Sequence, residues 1–459
     1  MNRFFSLVVA GTVSLFVACG GDPNPDPTPQ DDAGTSSAPD ASTQPTDAGD
    51  QKPDAGTQPA DAGNLEPDAG SQEPDAGTQE PDAGSQEPDA GTQQPDAGSQ
   101  EPDAGTQEPE LTTISPYDYR IQYTGRINFS SSEPWFSQPG VSIKARFTGS
   151  TLNFLMKDLA SGGVKTTNYY NVVIDDGAPV RFEVKGDTKP YEVARDLAPG
   201  EHTVLITKRT EGEVGSSRFF GFQVRGTLLE PPARPTKRLE FIGDSMTCGY
   251  GNQVSIPEPP AGNPSTGFHS INENHDQAFP TFTARALGAE SMTICHGGRG
   301  VYRNYDGTFH DTVPMLYDRI IPYVTQPLWD FSRYTPDVVL INLGTNDLNA
   351  PAADEVAFKK AYTDFITRIR GNYPNAEIVC VVGVMLSDYY PKGEQAWTKA
   401  QAWTSAVVEG FNSRGDAQVH YLKLNPHDAP YGEDWHPTVE THQQMANSIS
   451  AYLRTLMGW

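Results

Sequence analysis

The chain has 459 residues, with 59 acids against 33 bases and a formal net charge of −26. Residues 20–110 hold 22 of those acids and a single base, Lys52, so the remainder from Leu111 to Trp459 is only mildly acidic, with 37 acids against 31 bases. Such a surface lacks the broad basic field that phosphate-tracking proteins need, which excludes a nucleic-acid partner. The first 19 residues, MNRFFSLVVAGTVSLFVAC, carry one Arg, an apolar run and small Ala18 just before Cys19. That is the layout of an export signal, too short for a spanning helix.

Ending that run on Cys19 resembles a bacterial lipoprotein signal, in which the cysteine is lipidated and becomes the mature N-terminus. The resemblance implies a membrane partner through that lipid and an outer-membrane or cell-surface location. Phe16, three residues before the cysteine, is larger than the usual residue there. An ordinary signal with an incidental Cys is the alternative and gives a secreted protein, so either version exports the chain. The four cysteines, Cys19, Cys248, Cys295 and Cys380, form no C-x-x-C pair and no zinc-spaced group with His, so no metal site is expected.

Residues 20–110 offer almost nothing to a core, with Leu65 their only large aliphatic, and are predicted to be a disordered linker. From Pro53 a seven-residue unit of the PDAGTQE type recurs eight times. Seven is also the coiled-coil period, but no apolar a and d positions accompany it, so the segment reads as a stalk. A flexible coil of this length spans roughly 55 Å and an extended one up to ~280 Å.

Residues 111–230 show apolar side chains with period two, as in Val141, Ile143, Ala145, Phe147 and again Leu152, Phe154, Met156. Together with turn signals at Asp176-Gly177 and Pro199-Gly200, that predicts a small all-β sandwich, jelly-roll-like, of short antiparallel strands. After the Pro-rich EPPARPTKR the pattern changes, and residues 231–459 alternate strands with helices. RLEFIG, SMTICH, DVVLINLG, EIVCVVGV and VHYLKL are β-branched-rich runs; DQAFPTFTARALG, DEVAFKKAYTDFITRIRGNYP, EQAWTKAQAWTSAVVEGF and TVETHQQMANSISAYLRTLMG are helical. The expected fold class is α/β, a three-layer α/β/α arrangement around a parallel sheet, with sites outside the carboxyl ends of the strands.

Four of those ends carry chemistry. The first strand ends in FIGDSMTCGYG, which sets Ser245 at the top of the sheet. The second runs into CHGGRGVYRN, with Gly298 in a loop able to aim backbone N–H groups, and the third into LGTNDL with Asn346. His436 stands in GEDWHP before the last helix. Singly, Gly298 is a turn former, Asn346 a helix cap, and a lone loop His structural; His269, His275, His296, His310, His420, His427 and His442 are assigned that last role. Together they supply the nucleophile, two oxyanion donors and base of acyl transfer. Cys248 and Cys295 lie near the ends of neighbouring strands, where a disulfide is possible, but the odd count left after lipidation favours buried thiols.

This ordered set resembles the SGNH (GDSL) hydrolases. The resemblance implies that Ser245 attacks an ester carbonyl, that His436 takes its proton, and that the N–H groups of Ser245 and Gly298 with the Asn346 amide hold the oxyanion, without metal or organic cofactor. The β region, with YYNVVIDDG and LAPGEHTVLITKRTEGEVG, is similar to the domain that precedes the hydrolase in carbohydrate esterase family 2. That similarity implies removal of acetyl groups from plant-wall polysaccharides such as xylan and mannan. An acetylated polysaccharide or oligosaccharide is then the partner of a monomeric enzyme.

The wider SGNH pattern has Asp three residues before the His, where this chain has Glu433, with Asp434 two before. Glu433 is thus the candidate orienting carboxylate, while some family 2 members are described as using a Ser-His dyad with the ring held by a backbone carbonyl; both remain open. Tyr250, Arg299, Tyr302 and Trp435 flank the motifs and are candidate sugar contacts or packing residues. Two alternatives stand beside the polysaccharide esterase: an SGNH esterase or lipase for other small acyl esters, and a surface glycan-binding protein with a vestigial hydrolase fold. The polar, Pro- and Gly-rich stretch 252–276 favours a hydrophilic substrate.

Overall fold

The structure, a computed structural model, describes residues 109–459. The export signal and nearly all of the expected linker lie outside the described residues. The described residues belong to one compact unit with two architectures.

The first is all-β. Strands β1 (Thr112–Ile114), β2 (Gln122–Thr124), β3 (Trp135–Phe136), β4 (Ser142–Asp158), β5 (Asn168–Ile174), β6 (Val180–Val184), β7 (Lys189–Ala194), β8 (Glu201–Lys208) and β9 (Ser217–Leu229) form a nine-stranded antiparallel sheet. The 17-residue β4 binds β2 and β8 through its first half, β7 through its second and β9 along most of its length, with a register slip against β9 between Gly149 and Leu152. One long strand thereby links most of the sheet, which buries a common core of Phe147, Leu152, Phe154, Met156, Val172, Val204 and Phe222. Phe154 of β4 meets Tyr191 of β7 at 4.9 Å and Phe182 of β6 at 5.6 Å between ring centroids.

The second is the parallel sheet, β11-β10-β12-β13-β14, built from β10 (Arg238–Gly243), β11 (Glu290–Cys295), β12 (Val338–Asn342), β13 (Glu377–Val382) and β14 (Val419–Lys423). Helices α1 (Ser245–Cys248), α2 (Phe279–Leu287), α3 (Val313–Leu316), α4 (Thr345–Leu348), α5 (Glu355–Asn372), α6 (Ala396–Ser413) and α7 (Val439–Met457) connect and cover it. Successive residues of one strand serve opposite faces. Ile242, Ile341, Ile378 and Cys380 pack with α5 and α6, while Leu239, Phe241, Leu340, Val379 and Val381 pack with α2 and α7. Burial on both faces is why these strands read as continuous apolar runs.

One break in that apolar character joins the two architectures. Glu240, in the middle of β10, is fully buried, and its partner is Arg126 of the β part, also fully buried, at 3.1 Å. The Arg126 guanidinium also donates to the Tyr317 carbonyl and lies over the rings of Tyr317, Trp329 and Phe331, 4.7, 5.6 and 5.4 Å from their centroids. Removing one member of a buried pair leaves the other charge uncompensated. Arg126→Met is therefore expected to lower the unfolding free energy by about 3–5 kcal/mol in denaturant titrations, and replacing Glu240 by Leu in the same chain should recover most of the loss.

Candidate active site

Gly243, the last residue of β10, pairs with Cys295 of β11 on one side and Asn342 of β12 on the other. The three chains therefore leave the sheet level with one another. The Thr247 side chain occupies the space a Cβ at 243 would need, so only glycine fits there. Asp244 caps α1, its carboxylate accepting the Met246 N–H at 3.1 Å. Ser245 is thereby the first helical residue, whose N–H has no partner within the helix.

The side chain of Ser245 meets His436 Nε2 at 2.7 Å. The other ring nitrogen, Nδ1, lies 2.8 Å from the backbone carbonyl of Glu433. A carbonyl oxygen only accepts, so Nδ1 carries the proton and Nε2 presents its lone pair to the serine hydroxyl. The tautomer is the one a general base needs. Burial pushes the imidazole pKa down to about 4, against the opposing effect of the carbonyl, so the ring is neutral well below pH 7.

A tight 3₁₀ turn over Glu433–Trp435 makes this contact, with Asp434 (φ 48°) and Trp435 (φ 61°) both left-handed. The turn curls the Glu433 carbonyl back towards the ring and sends its side chain the other way. That carboxylate is buried and accepts from the His269 N–H at 2.9 Å and the Asn272 amide at 2.7 Å, with His269 Nδ1 2.6 Å away. Of the two arrangements left open by the sequence, the geometry is the backbone one: residue 433 meets the ring through its carbonyl, and its carboxylate, the candidate orienting group, is turned to other partners. Tyr250 stacks on the imidazole, with centroids 4.0 Å apart and planes 18° off parallel, and its hydroxyl donates to Asp434 at 2.6 Å.

The loop after β11 leaves the sheet beside the end of β10. Gly298 takes φ 72°, a conformation open to glycine, and its carbonyl accepts the Tyr305 N–H at 2.8 Å. Asn346, in α4, donates one amide hydrogen to the Arg299 carbonyl at 2.9 Å, which leaves the second for a ligand. Asp347, fully buried, accepts the N–H groups of Val301, Tyr302 and Arg303 at 2.9, 2.8 and 3.0 Å. Burial pushes its pKa up to about 6 in spite of those three donors. The sequence reading passed over Asp347, although it stands in the same GTND string as Asn346.

Residues 123–232 match the carbohydrate esterase 2 N-terminal family, and residues 241–444 the GDSL-like lipase/acylhydrolase family. A solved family two carbohydrate esterase from Clostridium thermocellum, in complex with cellohexaose, is 34% identical and superposes with a TM-score of 0.68 over 74% of this chain and 99% of that one. The chain belongs to carbohydrate esterase family 2. Cellulase/esterase CelE of Acetivibrio thermocellus is 35% identical over 343 residues, 74% of this chain; the chain spans only 40% of CelE. An acetylxylan esterase / glucomannan deacetylase of Cellvibrio japonicus is 29% identical over 351 residues, 76% of this chain and 92% of that enzyme.

Two of the four flanking residues in this family 2 esterase are committed to the protein. Tyr250 walls the imidazole, and Tyr302 accepts the Asp354 N–H at 2.8 Å and packs on Phe358, which anchors its loop. Trp435 is 45% exposed, and Arg299 reaches the half-exposed Tyr323 hydroxyl at 3.3 Å; both stay open to substrate. Cys248 and Cys295 form a disulfide, with Cα atoms 5.5 Å apart, while Cys380 is free and buried. The expectation of buried thiols, drawn from the odd cysteine count, fails for that pair: the neighbouring strand ends that made a disulfide possible do bring the two sulfurs together. The bond ties the helix carrying Ser245 to the strand leading to Gly298, and closing 47 residues contributes about 4 kcal/mol by chain entropy. Among the described residues Glu211, Cys248 and Glu273 have metal-ligand spacing, but the disulfide removes the Cys248 sulfur as a ligand.

Two measurements probe the histidine. With the base lowered to about 4, kcat/KM should hold to mildly acidic pH and fall only near pH 4–5, well below the midpoint near 6.5 of an ordinary imidazole. Glu433→Gln leaves the orienting carbonyl in place, so kcat is expected to drop by about tenfold or less, roughly 1.4 kcal/mol in the barrier. A loss of several powers of ten would return the carboxylate to the catalytic centre.

Proposed function

We propose that the protein is an exported serine esterase that removes O-acetyl groups from plant cell-wall polysaccharides such as xylan and mannan, held at an outer membrane or cell surface through lipidated Cys19. The observation that carries the proposal is the 2.7 Å contact between Ser245 and the unprotonated nitrogen of His436, at level strand ends shared with Gly298 and Asn346. Ser245 Oγ attacks the acetyl carbonyl carbon while its proton passes to His436 Nε2. The oxyanion is received by the N–H groups of Ser245 and Gly298 and the second amide hydrogen of Asn346. Collapse breaks the C–O bond to the sugar, whose oxygen leaves with the proton from Nε2, and Ser245 keeps the acetyl group. Water attacks that ester with His436 again as base, releasing acetate and restoring the serine.

A backbone carbonyl carries less negative charge than the carboxylate of a triad, so it stabilises the imidazolium less. Asp434, next to Tyr250, adds a negative field that favours the charged ring.

Several features support a glycan substrate. The solved Clostridium thermocellum relative holds cellohexaose, and the Cellvibrio japonicus relative is named for acetylxylan and glucomannan. Aromatic side chains stand exposed on loops that follow the strands: Tyr305 after β11, Tyr389 and Tyr390 after β13, and Trp435 beside the base. Such rings suit stacking on sugar faces. The polar 252–276 stretch disfavours a lipid substrate, and the assembled Ser-His contact disfavours a vestigial fold.

The test is hydrolysis of a chromogenic acetate ester and release of acetate from acetylated xylan and glucomannan. Ser245→Ala is expected to abolish both with the fold intact, and Asn346→Ala to lower kcat by about 10²–10³ with a smaller change in KM. A serine-directed phosphonate should label Ser245 alone. Near-wild-type turnover in the Ser245 variant overturns the proposal.

A further inference from the structure

Gly297 directly precedes Gly298 in the loop that receives the oxyanion, and it does not take a left-handed φ. What a side chain there would meet is a neighbour's carboxylate. A Cβ at 297 would stand 2.6 and 2.9 Å from the two carboxylate oxygens of Glu211. Glu211 belongs to the β8–β9 connection of the all-β part, and its Oε2 accepts the Gly297 N–H at 2.7 Å. The main chain at Glu211 is itself held on both sides: its N–H donates to Glu273 at 2.9 Å, and its carbonyl accepts from the fully buried Lys208 ammonium at 3.1 Å. Two residues on, Glu213 lies 2.7 Å from His296 Nδ1, so the same connection grips the residue before Gly297 as well.

Two consecutive glycines are the loosest pair a chain can contain. An oxyanion donor is useful only when its N–H is held in place before charge develops. Asp347 clamps this loop from Val301 onward, and the Gly297–Gly298 end has its carboxylate clamp in the other architecture.

We propose that Glu211 is a positioning residue for the hydrolase: it holds the Gly297–Gly298 end of the loop so that the Gly298 N–H faces the oxyanion, which makes the all-β part an obligatory piece of the oxyanion hole. The assignment rests on the serine-esterase function proposed above. Burial raises the Glu211 pKa to about 8, with Glu213 adding to the shift, and a carboxyl accepts from Gly297 in either protonation state. A neutral acceptor of the same shape should therefore serve.

The experiment measures kcat and KM of the full chain on a chromogenic acetate ester, with circular dichroism at the assay temperature to confirm folding. Glu211→Ala is expected to lower kcat about 10- to 100-fold with KM within about twofold, a partial loss of one donor. Glu211→Gln should restore kcat to within about threefold of wild type. Gly297→Ala should lower kcat in the wild-type background, where its methyl meets the carboxylate, and add little in Glu211→Ala, where that carboxylate is gone. An active wild type combined with a Glu211→Ala kcat within twofold of it, a loss that merely tracks the folded fraction, or a Glu211→Gln as impaired as the alanine variant overturns the assignment. If Glu211→Ala does not fold, the Gly297→Ala kcat decides: a loss at constant KM supports the clamp, and an unchanged kcat overturns it. An inactive wild type overturns the esterase function, and this assignment falls with it.

Discussion

The level ending of β10, β11 and β12 is the constraint on which the site depends. Parallel pairing puts Gly243 between Cys295 and Asn342, so three chain segments far apart in sequence leave the sheet at one height. From that height each needs only a short local device to present its group. Asp244 starts a helix at Ser245, a left-handed Gly298 turns the second loop, and α4 carries Asn346. A slip of one residue between β10 and either neighbour would turn alternate side chains to the wrong face and move these groups apart.

The histidine arrives by a separate route, on the loop before α7, and its orientation is a matter of backbone shape. Two successive left-handed residues, Asp434 and Trp435, are uncommon for side chains that carry a Cβ. They are tolerated because their surroundings hold them: Asp434 accepts from Tyr250 and Gly267, and the Trp435 carbonyl lies 3.2 Å from His427 Nε2. The strained turn gives His436 a carbonyl partner and leaves the Glu433 carboxylate free to organise His269 and Asn272.

The two architectures are also less separate than their patterns imply. Burying Glu240 in a central strand is tolerable only because Arg126 of the β part is buried against it. The β8–β9 connection then supplies Glu211 to the loop beside the serine. Joining two pieces through buried charges and hydrogen bonds fixes their relative placement more narrowly than an apolar contact would, because each bond has direction as well as distance.

The sequence by itself determined the order and type of the elements, since period-two alternation, continuous β-branched runs and amphipathic helices are local properties of the chain. It also marked Ser245, Gly298 and Asn346, each in a short string just after a strand end, and His436 in a short string before the last helix. It could not determine contacts that depend on the distance between two side chains across the fold or on the sign of a backbone angle. The Cys248–Cys295 bond was only one of two states that neighbouring strand ends allow, and Glu433 orients by its carbonyl because of the φ of the two residues after it. Glu211 meets Gly297 across 86 positions of sequence, from a different architecture. Only tertiary structure decided these, because a carboxylate's partner is set by where packing brings it, and the residues around Glu211 in the chain carry no trace of the glycine it holds.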